Sequence, residues 1–120
     1  MSVRSLKERG LEAAAAFIER VGMTLVERSW RCDAGGFDLV ALDGQTVVFV
    51  TVKTVKGVPG KGAGGLSEST ARKVRRVAES YLDQAGLVGQ PWRHDRVTLL
   101  VVAPGRALLR HHRDVLASPG

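Results

Sequence analysis

A carboxylate and an ammonium group occur where two neighbouring extended segments would bring them together. Asp38 lies in the segment Phe37 to Leu42, and Lys53 ends the segment Thr46 to Lys53, two residues after Thr51. A carboxylate oxygen is a ligand that Mg²⁺ accepts, while a lysine ammonium neutralises phosphate charge and positions an attacking water. These residue types predict a cation and phosphate site at Asp38 and Lys53.

The two segments are predicted to pair as an antiparallel hairpin. Asp43-Gly44 between them is the dipeptide that type I′ turns prefer, and both segments are rich in β-branched and aromatic residues. With those two residues as the turn, Asp38 lies opposite Phe49. Because side chains alternate along a strand, we expect Asp38, Thr51 and Lys53 on one face of the sheet.

The other face of this hairpin is wholly apolar, which indicates strands covered by helices on both sides. A charge at the edge of such a core must be paired, hydrated or bound to a ligand, because an unpaired buried charge is costly. An ion pair between Asp38 and Lys53 meets that requirement too, so this alternative stays open.

The remaining elements follow in the order αβββαβ. We predict a first helix from the capping box of Ser5 and Glu8 to Gly22, followed by a strand at 24–31 and then the hairpin. A second helix follows, with an apolar stripe from Val74 to Ala85. The chain then forms a strand at 96–103 and a short helix within 107–116. With 120 residues and 44% hydrophobic content, the chain fits one α/β domain with a single layered core.

Basic charge is concentrated in the middle of the chain. The formal net charge is +6, and residues 53–76 contain seven Lys or Arg but one Asp or Glu. A polyanion is the natural partner of such a segment, because each neutralised phosphate releases condensed counterions. The residues predicted to contact nucleic acid are Lys56, Lys61, Arg72, Lys73, Arg75 and Arg76. For the four on the second helix, a solvated helix face is the alternative.

The two hairpin segments resemble a known family. Gly35-Gly36-Phe37-Asp38-Leu39-Val40 and Val48-Phe49-Val50-Thr51-Val52-Lys53-Thr54 are similar to the paired motifs of the YraN-like endonucleases, members of the PD-(D/E)XK restriction-endonuclease-like superfamily. The similarity covers roughly residues 5 to 103. It implies a restriction-endonuclease-like mixed sheet flanked by helices, Mg²⁺ bound at Asp38, Lys53 as a catalytic residue, and a DNA substrate.

The chain departs from that family at three acidic positions. Where the family carries Glu, this chain has Leu11, Gly36 and Thr51. Glu12 follows the first of these positions but is rotated by about 100° around its helix, and a solvated residue is the simpler interpretation. Thr51 offers a neutral hydroxyl in the catalytic set, and losing one strong electrostatic contact commonly costs roughly a hundred- to a thousand-fold in rate. We therefore expect weak Mg²⁺ binding.

The leading prediction is a DNA-binding protein of this fold, for branched or structured DNA, with weak or lost Mg²⁺-dependent phosphodiesterase activity. One alternative is an active structure-specific endonuclease that uses Asp38 and Lys53. A second alternative is a protein-interaction module without catalysis. The three differ in whether salt-sensitive DNA binding and metal-dependent cleavage are observed.

Other features indicate no further site. Gly60, Gly62 and Gly65 have the spacing of a dinucleotide-binding loop but follow an antiparallel hairpin, so no nucleotide cofactor is expected. The lone Cys32 supports neither a disulfide nor a cysteine-rich metal site. The histidines His94, His111 and His112 lack ligand spacing and are predicted to lie on the surface.

A membrane location is not expected. No apolar run approaches the roughly 20 residues that span a bilayer, and the first ten residues are charged rather than the start of an apolar signal. We expect a cytoplasmic protein with no membrane partner.

Overall fold

A five-stranded mixed sheet carries one helix on each face. The computed structural model describes residues 5–56 and 68–116. Its elements are α1 Leu6–Arg20, β1 Thr24–Cys32, β2 Gly35–Asp43, β3 Thr46–Lys56, α2 Glu68–Gln84, β4 Trp92–Ala103 and β5 Arg106–His112. The strands lie in the order β1-β2-β3-β4-β5, with β3 and β4 parallel and all other neighbours antiparallel. The predicted α/β class and mixed sheet are confirmed.

Helix α1 begins and ends as its sequence predicts. The Ser5 hydroxyl accepts a hydrogen bond from the Glu8 backbone N at 3.1 Å, and the Ser5 backbone N donates to Glu8 Oε1 at 3.2 Å. These two bonds satisfy donors that the first turn leaves unpaired. Gly22 follows the last turn with a φ of +100°, a conformation that glycine adopts without a Cβ penalty.

The core consists of two apolar clusters, one on each face of the sheet. On the α1 face, helix residues such as Ile18 pack on Leu39, Ala41, Val48, Val50 and Val97. On the α2 face, Val77, Ala78, Tyr81 and Leu82 pack on Val40, Val47 and Phe49. The apolar stripe predicted for the second helix is thus the surface that α2 buries. Neither described helix is long and apolar enough to cross a membrane.

The tail after β4 is a strand, and the predicted short helix was wrong. Residues 106–112 form β5 and pair antiparallel with β4, from Ala103↔Arg106 to Arg96↔His112. Pro104 and Gly105, the latter with a φ of +74°, fill the central positions that a type II turn prefers for these residue types. The hairpin gives the outer edge of β4 backbone partners, and Leu109 packs against the α1-face cluster.

The first hairpin also differs in register. Asp43 pairs with Thr46 and Val40 with Phe49, so Gly44 and Gln45 are the turn residues, and the predicted pairing of Asp38 with Phe49 was wrong. Gly44 has a φ of +63°, and Gln45 is not among the described non-glycine residues with positive φ. A type II′ turn needs a positive φ only at its first central position, which here is Gly44. A type I′ turn would also place Gln45 in a left-handed conformation.

The alternation of side chains breaks at Asp38. Phe37 belongs to the α2-face cluster, yet Leu39, two residues later, belongs to the α1-face cluster. On β1, Ser29 lies between the pairs Arg28↔Leu39 and Trp30↔Phe37 and has a φ of +51°. A non-glycine residue rarely adopts that conformation. Both strands are therefore irregular at the same level, and Asp38 leaves the face that simple alternation assigns to it.

We predict that Gly10→Ala destabilises the protein, although alanine in a helix interior is more stable than glycine by about 1 kcal/mol. Gly10 is buried, and a Cβ at this position would overlap Thr54 Oγ1 on β3. Overpacking of this kind commonly costs about 1–3 kcal/mol. Urea unfolding should show a lower midpoint for Gly10→Ala and a recovered midpoint when Thr54→Ala is added. A higher midpoint for the single variant would contradict the close approach of α1 to β3.

Candidate functional site

Asp38 and Lys53 line one cavity on the α1 side of the sheet. The cavity has a volume of about 390 Å³ and is lined by Leu6, Lys7 and Leu11 of α1, by Val52, Lys53 and Thr54 of β3, and by Asp38. We call it the Asp38 cavity. It forms at the level where β2 leaves regular pairing with β3, since the last regular pair is Leu39↔Val50. The structure therefore brings together the two residues that the sequence singles out most strongly.

The Asp38 carboxylate is held by the backbone of β3. Its Oδ2 accepts a hydrogen bond from the Val52 backbone N at 2.7 Å, and the side chain is half-buried. Hydrogen bonds to an ionised acceptor are short and roughly twice as strong as neutral ones. Among the described residues, Asp38 forms no ion pair with Lys53. One carboxylate oxygen is thus committed to the fold, and the simple ion-pair alternative is not observed.

Thr51 lies apart from the Asp38 cavity. Its Oγ1 is 2.8 Å from His94 Nε2, and the His94 ring lies 5.7 Å from the Phe37 ring, on the α2 face. The predicted single face for Asp38 and Thr51 was therefore wrong. The cause is the break in alternation, which turns Asp38 toward α1 while Thr51 keeps the regular position of its strand. Lys53 is exposed near the end of β3 and is one of the residues that line the cavity.

The three positions that lack an expected carboxylate differ in their surroundings. Leu11 lines the Asp38 cavity, so a carboxylate there would lie at the same cavity as Asp38. At Gly36, any Cβ would overlap the Trp30 carbonyl oxygen, so the present backbone excludes every side chain. Thr51 is bonded to His94 on the other face. Glu12 is exposed and does not line the cavity.

The donor set at Asp38 does not fit Mg²⁺ on its own. No group of three or more His, Cys, Asp or Glu side chains suited to hold a metal ion occurs in residues 5–56 and 68–116. Mg²⁺ is commonly bound by one or two carboxylates, completed by waters and substrate phosphate. A single carboxylate that also bonds a backbone N–H is the weakest form of such a site.

A second cavity opens beside the first. It has a volume of about 590 Å³ and lies where α1, the ends of β3 and β4, and the β4–β5 turn meet; Leu6 and Thr54 line both cavities. We call it the Arg106 cavity. Its cationic side chains are Arg9, Lys56 and Arg106, all of which are exposed.

Sequence reasoning found Lys56 but missed Lys7, Arg9 and Arg106. A signal for the first of these existed, because Lys7 precedes Leu11 by four residues and so shares its helix face. No signal for Arg106 existed in the sequence, because a helix was predicted for the tail. Arg106 lines the cavity only because the chain turns at Pro104 and Gly105 and continues as β5.

The predicted basic surface of α2 is present. Arg72, Lys73, Arg75 and Arg76 are all exposed. A Cβ at Gly35 would lie 3.4 Å from Lys73 Cε, which places the first half of α2 over the start of β2. Because β2 runs antiparallel to β3, its start lies at the same end of the sheet as the end of β3. Exposed cations from both helices therefore lie at one end of the molecule. Lys61 lies outside the described residues.

A buried ionic network occupies β4 and its neighbours. Asp95 is 0% exposed and accepts hydrogen bonds from Arg93 Nε at 2.9 Å and from the Asp114 backbone N at 2.9 Å; His111 Nε2 is 2.8 Å away. Burial alone would raise the pKa of Asp95, but the hydrogen bonds from His111, Arg93 and the Asp114 backbone outweigh it and hold the pKa below its ordinary value. Arg93 also bonds Asp43 at 2.9 Å.

His94 and His111 are structural residues, and their predicted surface location was wrong. His94 is 3% exposed, and its Nδ1 has no hydrogen-bond partner among the described residues. Burial, reinforced by the charge of Arg96, lowers the pKa of His94 to about 4, although Asp95 acts in the opposite direction. The imidazole is therefore neutral near pH 7. The predicted strand began at residue 96, so the sequence offered no buried position for His94.

Comparison with known proteins gives the family. The model of the uncharacterised protein family UPF0102 matches residues 10–102. The chain belongs to the UPF0102 family. A UPF0102 protein of Nocardia farcinica is 35% identical over 113 residues, covering 93% of this chain and 89% of the relative. A UPF0102 protein of Streptomyces griseus is 38% identical over 116 residues, which cover 92% of this chain and 95% of the relative.

A UPF0102 protein of Neisseria meningitidis serogroup C is 39% identical over 93 residues, which cover 77% of this chain and 81% of the relative. The UPF0102 match contains Asp38, Lys53 and all of the strands that form the Asp38 cavity. Strand β5 and Arg106 lie beyond the matched residues. The Arg106 cavity is therefore built partly from a region outside the family match.

The His94 pKa predicts a loss of stability in mild acid. The unfolded histidine binds a proton near pH 6.5 and the folded one near pH 4, so the unfolded state binds more protons between these values. Stability should fall by on the order of 3 kcal/mol as pH drops through that window. Urea unfolding from pH 7 to pH 4.5 should show a flatter pH dependence for His94→Gln. Phe37→Leu, which disturbs the same cluster without removing a titratable group, should keep the wild-type slope; equal slopes in all three proteins would contradict this assignment.

Asp95→Ala should be far more destabilising than Asp43→Ala. Removing one partner of a buried ion pair leaves the other charge uncompensated and commonly costs about 3–5 kcal/mol. The Asp43 side chain is 38% exposed, and exposed pairs contribute about 1 kcal/mol or less. Urea midpoints at neutral pH measure both variants. Equal losses would contradict the buried role of Asp95.

Proposed function

We propose that this UPF0102 protein binds DNA at the end of the sheet where β3 and β4 finish, and that it cleaves phosphodiester bonds weakly or not at all. The observation that carries the proposal is the Asp38 cavity, which holds Lys53 but only one carboxylate, Asp38, and lies between exposed cations.

Charge placement supports the DNA-binding part. Lys7 and Arg9 of α1, Lys56 of β3 and Arg106 after β4 lie around the two cavities, and Lys73 of α2 reaches the same end from the other face. A phosphate backbone that neutralises several of these cations releases counterions, which is the main source of sequence-independent affinity. The net charge of +6 acts in the same direction by speeding the encounter with a polyanion.

Three contacts support weak or absent cleavage. Asp38 Oδ2 is engaged by the Val52 backbone N, Thr51 is engaged by His94, and Leu11 presents an apolar side chain to the cavity. Electrostatic stabilisation by several correctly placed groups is commonly the largest contribution to catalysis. Here the lining of the cavity contains one carboxylate residue, Asp38, beside Lys53.

The rival function is an active structure-specific endonuclease. The observation that favours it is the shared cavity of Asp38 and Lys53, since a carboxylate can bind a metal ion and a lysine can neutralise phosphate charge. Incubation of branched and linear DNA with Mg²⁺ or Mn²⁺ separates the two. Metal-dependent cutting that disappears in Asp38→Ala would support the rival and overturn the non-cleaving part of the proposal.

The salt dependence of DNA binding tests the proposed surface. Arg9→Gln should reduce the slope of log K against log salt by about 0.9, because one phosphate contact is lost. The triple variant Arg72→Gln, Lys73→Gln and Arg76→Gln should reduce it by roughly 2 to 3. Arg20→Gln, at the opposite end of α1, is the matched control and should leave the slope unchanged. Equal effects of Arg9→Gln and Arg20→Gln, or no salt-sensitive binding by the wild type, would overturn the proposal.

A second carboxylate tests the geometry of the Asp38 cavity. Leu11→Glu should strengthen Mg²⁺ binding by about ten-fold or more, because two carboxylates then face one cavity. Thr51→Glu should give no such gain, since Thr51 lies on the α2 face beside His94. Calorimetry with Mg²⁺ measures both, with Ala16→Glu on the exposed side of α1 as the control and circular dichroism to confirm folding. A gain for Thr51→Glu without one for Leu11→Glu would contradict the observed arrangement.

A further inference from the structure

The Arg106 cavity is separate in character from the Asp38 cavity. Its walls are largely apolar, from Ala13 of α1, Leu99 and Val101 of β4, and Pro104 of the turn. Its volume of about 590 Å³ falls within the range of roughly 300–1,000 Å³ that is common for small-ligand sites, and such sites are mostly apolar with a few polar groups. A phosphate backbone alone does not require a recess of this size or polarity.

The cavity also has a charged opening and a defined neighbour. Arg9, Lys56 and Arg106 surround it, and Leu6 and Thr54 are shared with the Asp38 cavity. It lies at the carboxyl ends of the parallel strands β3 and β4, the edge at which open α/β sheets commonly bind ligands. A ligand that fits has a flat apolar part for the recess and an anionic part for the three cations.

We propose that the Arg106 cavity receives the base of an unpaired nucleotide whose phosphate is bound by Arg9, Lys56 and Arg106. This inference rests on the proposed function and specifies its substrate class: DNA with a single-stranded end or overhang. A base inside a duplex is stacked and paired and cannot enter a recess, whereas an unpaired base enters at little cost. The Asp38 cavity adjoins this site, because Leu6 and Thr54 line both cavities.

Charge complementarity selects this occupant over a neutral apolar ligand. Three exposed cations surround the opening, and the recess adjoins a lysine and a carboxylate in the Asp38 cavity. A long-chain carboxylate would also combine an apolar and an anionic part, so it serves as the competing outcome of the test.

The test compares a blunt duplex with the same duplex carrying a short single-stranded overhang, by fluorescence anisotropy on the full chain. Seating one base in an apolar site is worth about ten-fold in affinity by analogy with base stacking, so the wild type should bind the overhang about ten-fold more tightly. Ala13→Trp fills the recess from an exposed helix position and should bring the ratio to about one while duplex affinity is kept. Ala16→Trp, exposed on α1 but not part of the lining, should keep the wild-type ratio.

A second measurement does not depend on affinity. A 2-aminopurine placed in the overhang should change its fluorescence when the wild type binds, and should change it much less with Ala13→Trp. Duplex binding without overhang preference, or an overhang preference that Ala13→Trp leaves intact, overturns the cavity inference and leaves the proposed function standing. Absence of all DNA binding overturns both. Displacement of the overhang's fluorescence change by dodecanoate at low concentration, with no overhang preference, assigns the cavity to an apolar anion and also overturns the inference.

Discussion

The hydrogen bond from the backbone N of Val52 to the Asp38 carboxylate lies at the point where the β2–β3 pairing ends. At this level β2 stops pairing regularly with β3, and a carboxylate takes the place of a backbone acceptor. Because an unpaired buried N–H is costly, the exchange keeps β3 satisfied while the strands separate. The Asp38 cavity lies at this level between α1 and the sheet, and the same irregularity places Phe37 and Leu39 on opposite faces of the sheet.

That separation divides the polar residues of the hairpin between two environments. Asp38 faces α1 and solvent beside cations, whereas Thr51 is bonded to a buried, neutral histidine against α2. The opposite end of the sheet holds its charges differently, since Asp43, Arg93 and Asp95 are satisfied by one another. Near the start of β4, Asp43, Arg93 and Asp95 thus form ion pairs, whereas the other end of the sheet carries the exposed cations Arg9, Lys56 and Arg106. This difference in charge is the physical basis of the proposal that a polyanion binds at the end where β3 and β4 finish.

Much of the framework could be predicted from the sequence, because local patterns determine it. The capping box at Ser5, the stop at Gly22 and the apolar stripe of α2 each depend on nearby residues, and each was confirmed. The meeting of Asp38 and Lys53 in one cavity did not follow from strand parity, because the irregular backbone at Asp38 turns this residue toward α1. What failed depends on distant partners. The left-handed Ser29, the burial of His94 and the strand β5 each require a neighbouring strand that no local pattern shows.

Gly36 constrains the order in which this protein could acquire new chemistry. A side chain of any kind at this position meets the Trp30 carbonyl oxygen, which belongs to the backbone of β1 and does not rotate away. An added acidic group at 36 would thus be harmful until β1 had first moved, whereas one at Leu11 needs no such preparation. A second carboxylate can therefore be added by a single substitution at Leu11 of α1, whereas one at Gly36 of β2 first requires a change in the backbone of β1.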